Sequence, residues 1–256
     1  MSTKDSSSRT MSMADDLVIP QYSLSKILFM YAWPLAWFAF LIYVIAPLFL
    51  RPDGTLPLWS NNLVNFLGHG AELIVALIIL RREGYRLTFK SLRKRINARF
   101  PDKVWKWAAC VGAFGVAVAA VLLLSPLETG IAAVLPPPDW MPDHPLKEVS
   151  SPQALSPEVN LVGSVLSWIF RVIVVFLIGN ILGEELYYRT ALQPKTRGVF
   201  GKWSWAASGI LFGLKHLYVW WRVPYLMPVG IAMGFIYGPM GSLPLTIFFH
   251  WLGNVL

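Results

Sequence analysis

The chain has 256 residues, of which 55 % are apolar and 14 % charged, with 22 lysines and arginines against 14 acidic residues and a net charge of +8. An average soluble domain carries about 25 % charged residues, and here the charges are segregated: Ile27 to Leu50 has none and Val104 to Ser125 only Lys106. That excludes an ordinary soluble fold, and basic residues clustered beside apolar runs follow the positive-inside rule rather than a nucleic-acid footprint. The lone cysteine, Cys110, sits in an apolar run. It allows no intrachain disulfide and no thiolate metal cluster.

Apolar runs of about 20 residues cross about 30 Å of hydrocarbon as helices, which satisfy their own backbone polar groups. No alternating barrel pattern competes with them. Residues 1–26, Ser-rich and polar, read as a flexible cytoplasmic tail, and 27–256 as one membrane-embedded helical domain. The first span is Ile27–Leu50, with Pro34 as a kink, followed by a short outer loop, Arg51–Asn62. The second is Leu63–Leu80. Residues 81–106 carry ten basic residues against Glu83 and Asp102 and form a cytoplasmic loop. The third span is Val104–Leu124. Residues 125–160, with Pro136 to Pro138, form the outer loop, with an interfacial segment at Gly130–Leu135. The fourth span, Leu161–Leu182, continues helically through Arg189. Residues 193–202 are basic and cytoplasmic again. Trp203–Trp221 is the fifth span, the Gly-rich Pro224–Tyr237 the sixth, and Leu243–Leu256 a short last helix. The fold class is an all-α polytopic transmembrane bundle of about seven spans, with the N-terminus and both basic loops on one side.

Ionisable residues at membrane depth are costly and mark function or pairing. They are His69 and Glu72 in span two, Arg171 in span four, Glu184, Glu185 and Arg189 at its end, Lys215 and His216 in span five, and His250 in the last helix. No aspartate lies in a span, which excludes an aspartyl dyad, and there is no H-E-x-x-H or G-x-S-x-G. Glu185 and Arg189 are i, i+4 and share a helix face. Two adjacent carboxylates do not both ionise cheaply in low dielectric, so Arg189 can hold one charged while the other serves as general base or acid. Phe212 and His216 are i, i+4, as are His250 and Asn254, and a His-Asn donor pair suits a developing oxyanion. The plainer readings are a helix-end ion pair and interhelical hydrogen bonds. Lys215 is expected to face another side of its helix and snorkel. His69 and Glu72 could line the same cavity or form a structural hydrogen bond, and Arg171 is expected to pair with a carboxylate such as Glu72.

Glu184-Glu185-Leu186-Tyr187-Tyr188-Arg189 fits E-E-x-x-x-R, Phe212 to His216 fits F-x-x-x-H, and His250 to Asn254 fits H-x-x-x-N. Together and in this order they resemble the CPBP intramembrane proteases, the family of the type II CAAX prenyl endopeptidase and the lysostaphin-resistance protein. The protease-like core is about 161–256. Thr190 stands where the family usually has glycine, a departure that touches packing more than chemistry. The resemblance implies an intramembrane endopeptidase in which Glu184 and His216 activate a water and His250 and Asn254 stabilise the oxyanion. Glu185 and Arg189 would support Glu184, with Phe212 beside them. A divalent metal such as zinc, held by Glu184, His216 and His250, is left open, because a metal-free water fits the same residues.

The expected partners are the lipid bilayer and a membrane-anchored peptide or protein, with no nucleic acid, and the site is expected to open toward the cytoplasmic half. The location expected is a prokaryotic plasma membrane with the N-terminus in the cytoplasm. A non-enzymatic immunity, resistance or partner-binding protein on the same scaffold is the alternative. A proton-coupled carrier is disfavoured by the absence of an inverted repeat.

Overall fold

The computed structural model describes residues 19–54, 56–139, 141 and 180–255, and no strand occurs among them. Helix α1, Leu24–Phe40, starts where the Ser23 side chain accepts from the Lys26 backbone N–H. It runs on through a π-turn at Leu41–Ile45 and a 3₁₀ turn at Ala46–Phe49. Helix α2, Leu58–Arg82, begins at Leu58 rather than Leu63 and ends in a left-handed cap at Gly84, φ +92°. There Gly84 N–H donates to Arg81 and Tyr85 N–H to Leu80, which satisfies two orphan carbonyls.

Helix α3 covers Val104–Val134. The expected outer loop therefore starts later than residue 125, and Gly130–Leu135 is no separate segment. Pro126 lies inside the helix, and membrane helices tolerate such a proline, because neighbouring groups re-satisfy the one hydrogen bond it removes. The chain then continues through a π-helix at Glu185–Leu192, α4 at Ser204–Leu214, a 3₁₀ stretch at Lys215–Arg222, α5 at Val223–Tyr237 and α6 at Leu243–Val255.

Four helical runs among the described residues are long and apolar enough to cross a membrane: Leu24–Phe49, Asn62–Arg82, Val104–Val134 and the composite Asn180–Tyr237. The expected fourth span, with Arg171, lies almost wholly outside the described residues. Helix α6 has 13 residues and, at 1.5 Å each, is about 20 Å long, short of a full crossing.

The N-terminal segment and the two basic loops meet at one end of the bundle. Tyr22 N–H donates to the Lys195 carbonyl at 3.0 Å, so the residues just before α1 are docked. Glu83 accepts from Arg95 Nε at 2.7 Å and Nη2 at 3.0 Å, and its Oε1 lies 2.6 Å from Lys195 Nζ. Arg95 Nη1 also donates to the Thr190 carbonyl. Burial opposes the Arg95 charge, but the Glu83 hydrogen bonds outweigh it and raise the guanidinium pKa. Leu80, Ile96, Tyr237 and Leu243 pack beneath. At the other end Trp220 donates to the Leu135 carbonyl, and Tyr43 to that of Tyr218.

Helices α4 and α5 pack almost backbone to backbone. A Cβ on Gly209 would lie 2.5 Å from the Ile231 backbone, and one on Gly230 2.4 Å from the Gly209 carbonyl oxygen. Without a hydrophobic drive between helices in lipid, such small residues permit the van der Waals contact that holds them. Glu83, Arg95 and Lys195 side chains are each at most 4 % exposed, so Glu83→Gln strands two buried cations. It should destabilise the protein by about 3–5 kcal/mol, read as a lower unfolding midpoint in detergent.

Candidate active site

The site forms where α2, the turn entering the π-helix, the end of α4 and α6 converge. Gly183 makes this possible. A Cβ there would lie 2.5 Å from the His69 carbonyl oxygen, so only glycine lets α2 approach this closely. Glu184, His69 and Glu72 are brought together as a result.

The E-E-x-x-x-R segment is a π-helix from Glu185, not the α-helix expected. π-bulges recur at functional sites, where the altered turn re-aims side chains. Glu185 is fully buried and faces two ways. Its Oε1 accepts from His250 Nδ1–H at 2.7 Å, and its Oε2 lies 3.4 Å from Arg189 Nε. The second contact is an ion pair without a hydrogen bond, and the Arg189 guanidinium stacks 4.4 Å from the Phe212 ring centroid. Glu185 therefore joins α6 to the π-helix as well as pairing with Arg189.

His216 sits just past α4, in a 3₁₀ stretch interrupted at Val219 (φ −127°, ψ 59°). Its Nδ1–H donates to the Phe212 carbonyl at 2.9 Å, which explains the F-x-x-x-H spacing and turns Nε2 to Glu184 Oε1 at 3.7 Å. His250 Nε2 stands 3.4 Å from Glu184 Oε2. Both separations exceed a direct hydrogen bond. One turn beyond His250, the Asn254 Nδ2 is buried with no hydrogen-bond partner among the described residues.

Glu184, His216, His250 and Asn254 all line one cavity of about 490 Å³, with His69 and Asn180. Much of the remaining wall is apolar, from Phe38, Val64, Phe114, Val121 and Met233. The described lining continues to Ser125, Glu128 and Arg222. This is the end of α3 remote from Lys103 and Lys106, whereas the site was expected to open on the basic-loop side. The reason is that Arg95 and the Leu80–Leu243 cluster fill the basic end.

Lys215 corrects the sequence reading most sharply. It does not snorkel; its side chain is fully buried. It donates to Glu184 Oε1 and lies 3.3 Å from Glu72 Oε1. Glu72 also accepts from Tyr188 OH at 2.6 Å and meets His69 Nδ1 at 3.0 Å, while His69 Nε2 is 3.2 Å from Asn180 Nδ2. Arg171, expected to partner Glu72, lies outside the described residues. Sequence reasoning did not place Lys215, Tyr188 or Asn180 in the site. A lysine inside a span with no acid on its own helix was the available signal for Lys215.

The metal ligands expected were Glu184, His216 and His250. The group whose donor atoms lie close enough to share an ion is instead His69, Glu72 and Glu184, all within 4.8 Å of one another. The Lys215 ammonium contacts both carboxylates of that group, and a divalent cation there would sit against a fixed positive charge. As arranged, with Lys215 between its carboxylates, the His69–Glu72–Glu184 group does not suit a resident metal.

Residues 165–256 match the family model described as Type II CAAX prenyl endopeptidase Rce1-like. The match covers a little over a third of the chain and contains all three motifs. This C-terminal segment is thus similar to the Rce1-like type II CAAX prenyl endopeptidases. No curated protein and no solved structure matches the chain.

Because the α2 contact depends on Gly183, Gly183→Ala should overpack it and cost about 1–3 kcal/mol. Gly112→Ala, with nothing within 4 Å of the added methyl, is the control. Unequal shifts in the thermal midpoint, large for Gly183 and negligible for Gly112, are the expected outcome.

Proposed function

We propose that the protein is an intramembrane endopeptidase of the CAAX type, in a bundle of about seven spans. The observation that carries this reading is the convergence of Glu184, His216, His250 and an unpartnered Asn254 amide in one cavity of the Rce1-like segment. A water beside Glu184, within reach of His216 Nε2, gives its proton to the Glu184 carboxylate as its oxygen attacks the scissile carbonyl carbon. Glu184 is the general base and later returns that proton to the leaving amine as the C–N bond breaks. The tetrahedral oxyanion accepts hydrogen bonds from Asn254 Nδ2 and His250 Nε2, a contribution that grows in a water-poor site.

His250 Nδ1–H is committed to Glu185. Donation from both ring nitrogens uses the imidazolium, whose Nδ1–H faces the Glu185 carboxylate at 2.7 Å. Glu185, Arg189 and Phe212 support the site by fixing His250 and the π-helix.

The substrate class is a membrane-anchored peptide, such as a lipidated tail or a transmembrane segment, which the mixed polar and apolar cavity can accept. The location is a prokaryotic plasma membrane, with the basic loops and N-terminus in the cytoplasm by the positive-inside rule.

Purified protein should cleave a library of membrane-anchored peptides. Glu184→Gln and His216→Ala should abolish cleavage, and Asn254→Ala should lower kcat by about 10²–10³-fold, the usual cost of one oxyanion donor. Chelator should leave the rate unchanged. Variants at Glu184 and His216 that cut as well as wild type would remove these residues from the chemistry.

A further inference from the structure

The reaction as proposed does not use Lys215, yet this cation is fully buried beside the site. Its Nζ lies 5.2 Å from the Phe38 ring centroid, 5.0 Å from that of Tyr188 and 5.3 Å from that of Phe212, an aromatic enclosure without water-facing exposure. Within it the ammonium touches Glu184 and Glu72, which come from separate elements. Two carboxylates this close repel in low dielectric, and one must protonate or a cation must stand between them. A lysine does so only at the expense of its own strong hydration, so the position is specific rather than incidental.

We infer that Lys215 is a resident counter-ion, whose ammonium takes the place a divalent cation would take among His69, Glu72 and Glu184, and that it is the positioning residue for Glu184. Three consequences follow from contacts. Glu184 Oε1 is tied to Lys215, which leaves Oε2 facing His250. Glu72 needs no role in the reaction; it anchors the ammonium from α2, and is itself fixed by Tyr188 and His69. The N-terminal helices thereby help to set the site, although the motifs all lie in the C-terminal segment. The positioning role rests on the proposed protease reading; the counter-ion role does not.

The two are separable by experiment. Full-length wild type, Lys215→Ala, Lys215→Met and Lys215→Ala/Glu72→Gln are purified in detergent, equilibrated with zinc chloride, desalted and assayed for bound zinc and thermal midpoint. Wild type should retain no stoichiometric zinc. Lys215→Ala should gain about one equivalent with a raised midpoint, because one histidine and two carboxylates are a complete open-site ligand set. The double variant should lose that gain. Zinc bound stoichiometrically by wild type, or neither single variant binding it, overturns the counter-ion. So does failure of both single variants to fold even with zinc supplied during expression. On a cleaved peptide, metal-free Lys215→Met should lower kcat by about tenfold or more with KM little changed, the mark of an interaction made in the transition state. Unchanged kcat overturns the positioning role. If wild type cleaves no peptide while Lys215→Ala still gains zinc, the protease reading fails and the counter-ion stands.

Discussion

Glu72 and Glu184 stand side by side at membrane depth, and the structure around them is arranged to tolerate that. Buried charges persist in low dielectric only when paired and hydrogen-bonded. Here the pairing comes from three separate elements: Lys215 past α4, His69 on α2, and Tyr188 on the π-helix. Only the His69–Glu72 contact is local in sequence; those of Lys215 and Tyr188 cross between elements. The electrostatic cost of the two carboxylates therefore acts as a tie between α2, the π-helix and the end of α4, and it specifies their register as a purely apolar interface would not.

The tie works only because the backbones come close enough. Gly183 meets the His69 carbonyl, and Gly209, Gly230 and Gly234 meet backbone across the α4–α5 seam. In lipid, close backbone approach and polar contacts replace the hydrophobic effect as the source of helix association. The glycines set the distance between helices and the charged groups set their rotation. His216 shows the two working together. Its ring is oriented by the Phe212 carbonyl one turn back, and Phe212 in turn packs its ring against Tyr188 and the Arg189 guanidinium.

Much of this was legible in the sequence, for physical reasons. Runs without charge located α1, α2 and α3, because the length of hydrocarbon they must cross is fixed. Regular helical spacing put His216 one turn from Phe212 and His250 one turn from Asn254, and in each case the pair shares a face. The end of α3 was not legible, since a proline and a serine read as a stop in water but not in a membrane helix. Nor was the π-helix. Its wider turn is imposed by packing, and Glu185, expected to face Arg189 alone, also reaches His250. Lys215 was hidden for a similar reason: its partners lie 143 and 31 positions away, beyond any local pattern.

The basic loop shows how a topology signal and a structural role coincide. Its arginines and lysines cluster as a group beside the apolar helices. Arg95 alone turns inward, bonds Glu83 and the Thr190 carbonyl, and lets Leu243 N–H reach the Asn97 carbonyl, where Asn97 adopts φ +50°. These contacts close the loop over the helix ends at one face of the bundle. The described cavity lining consequently extends the other way, along α3 to Glu128, whose carboxylate pairs with Arg222 at 3.3 Å. The polar groups of the site thus lie between a packed basic end and a cavity with largely apolar walls. Such an environment strengthens every charge–charge term within it, from Glu184–Lys215 to Glu185–His250.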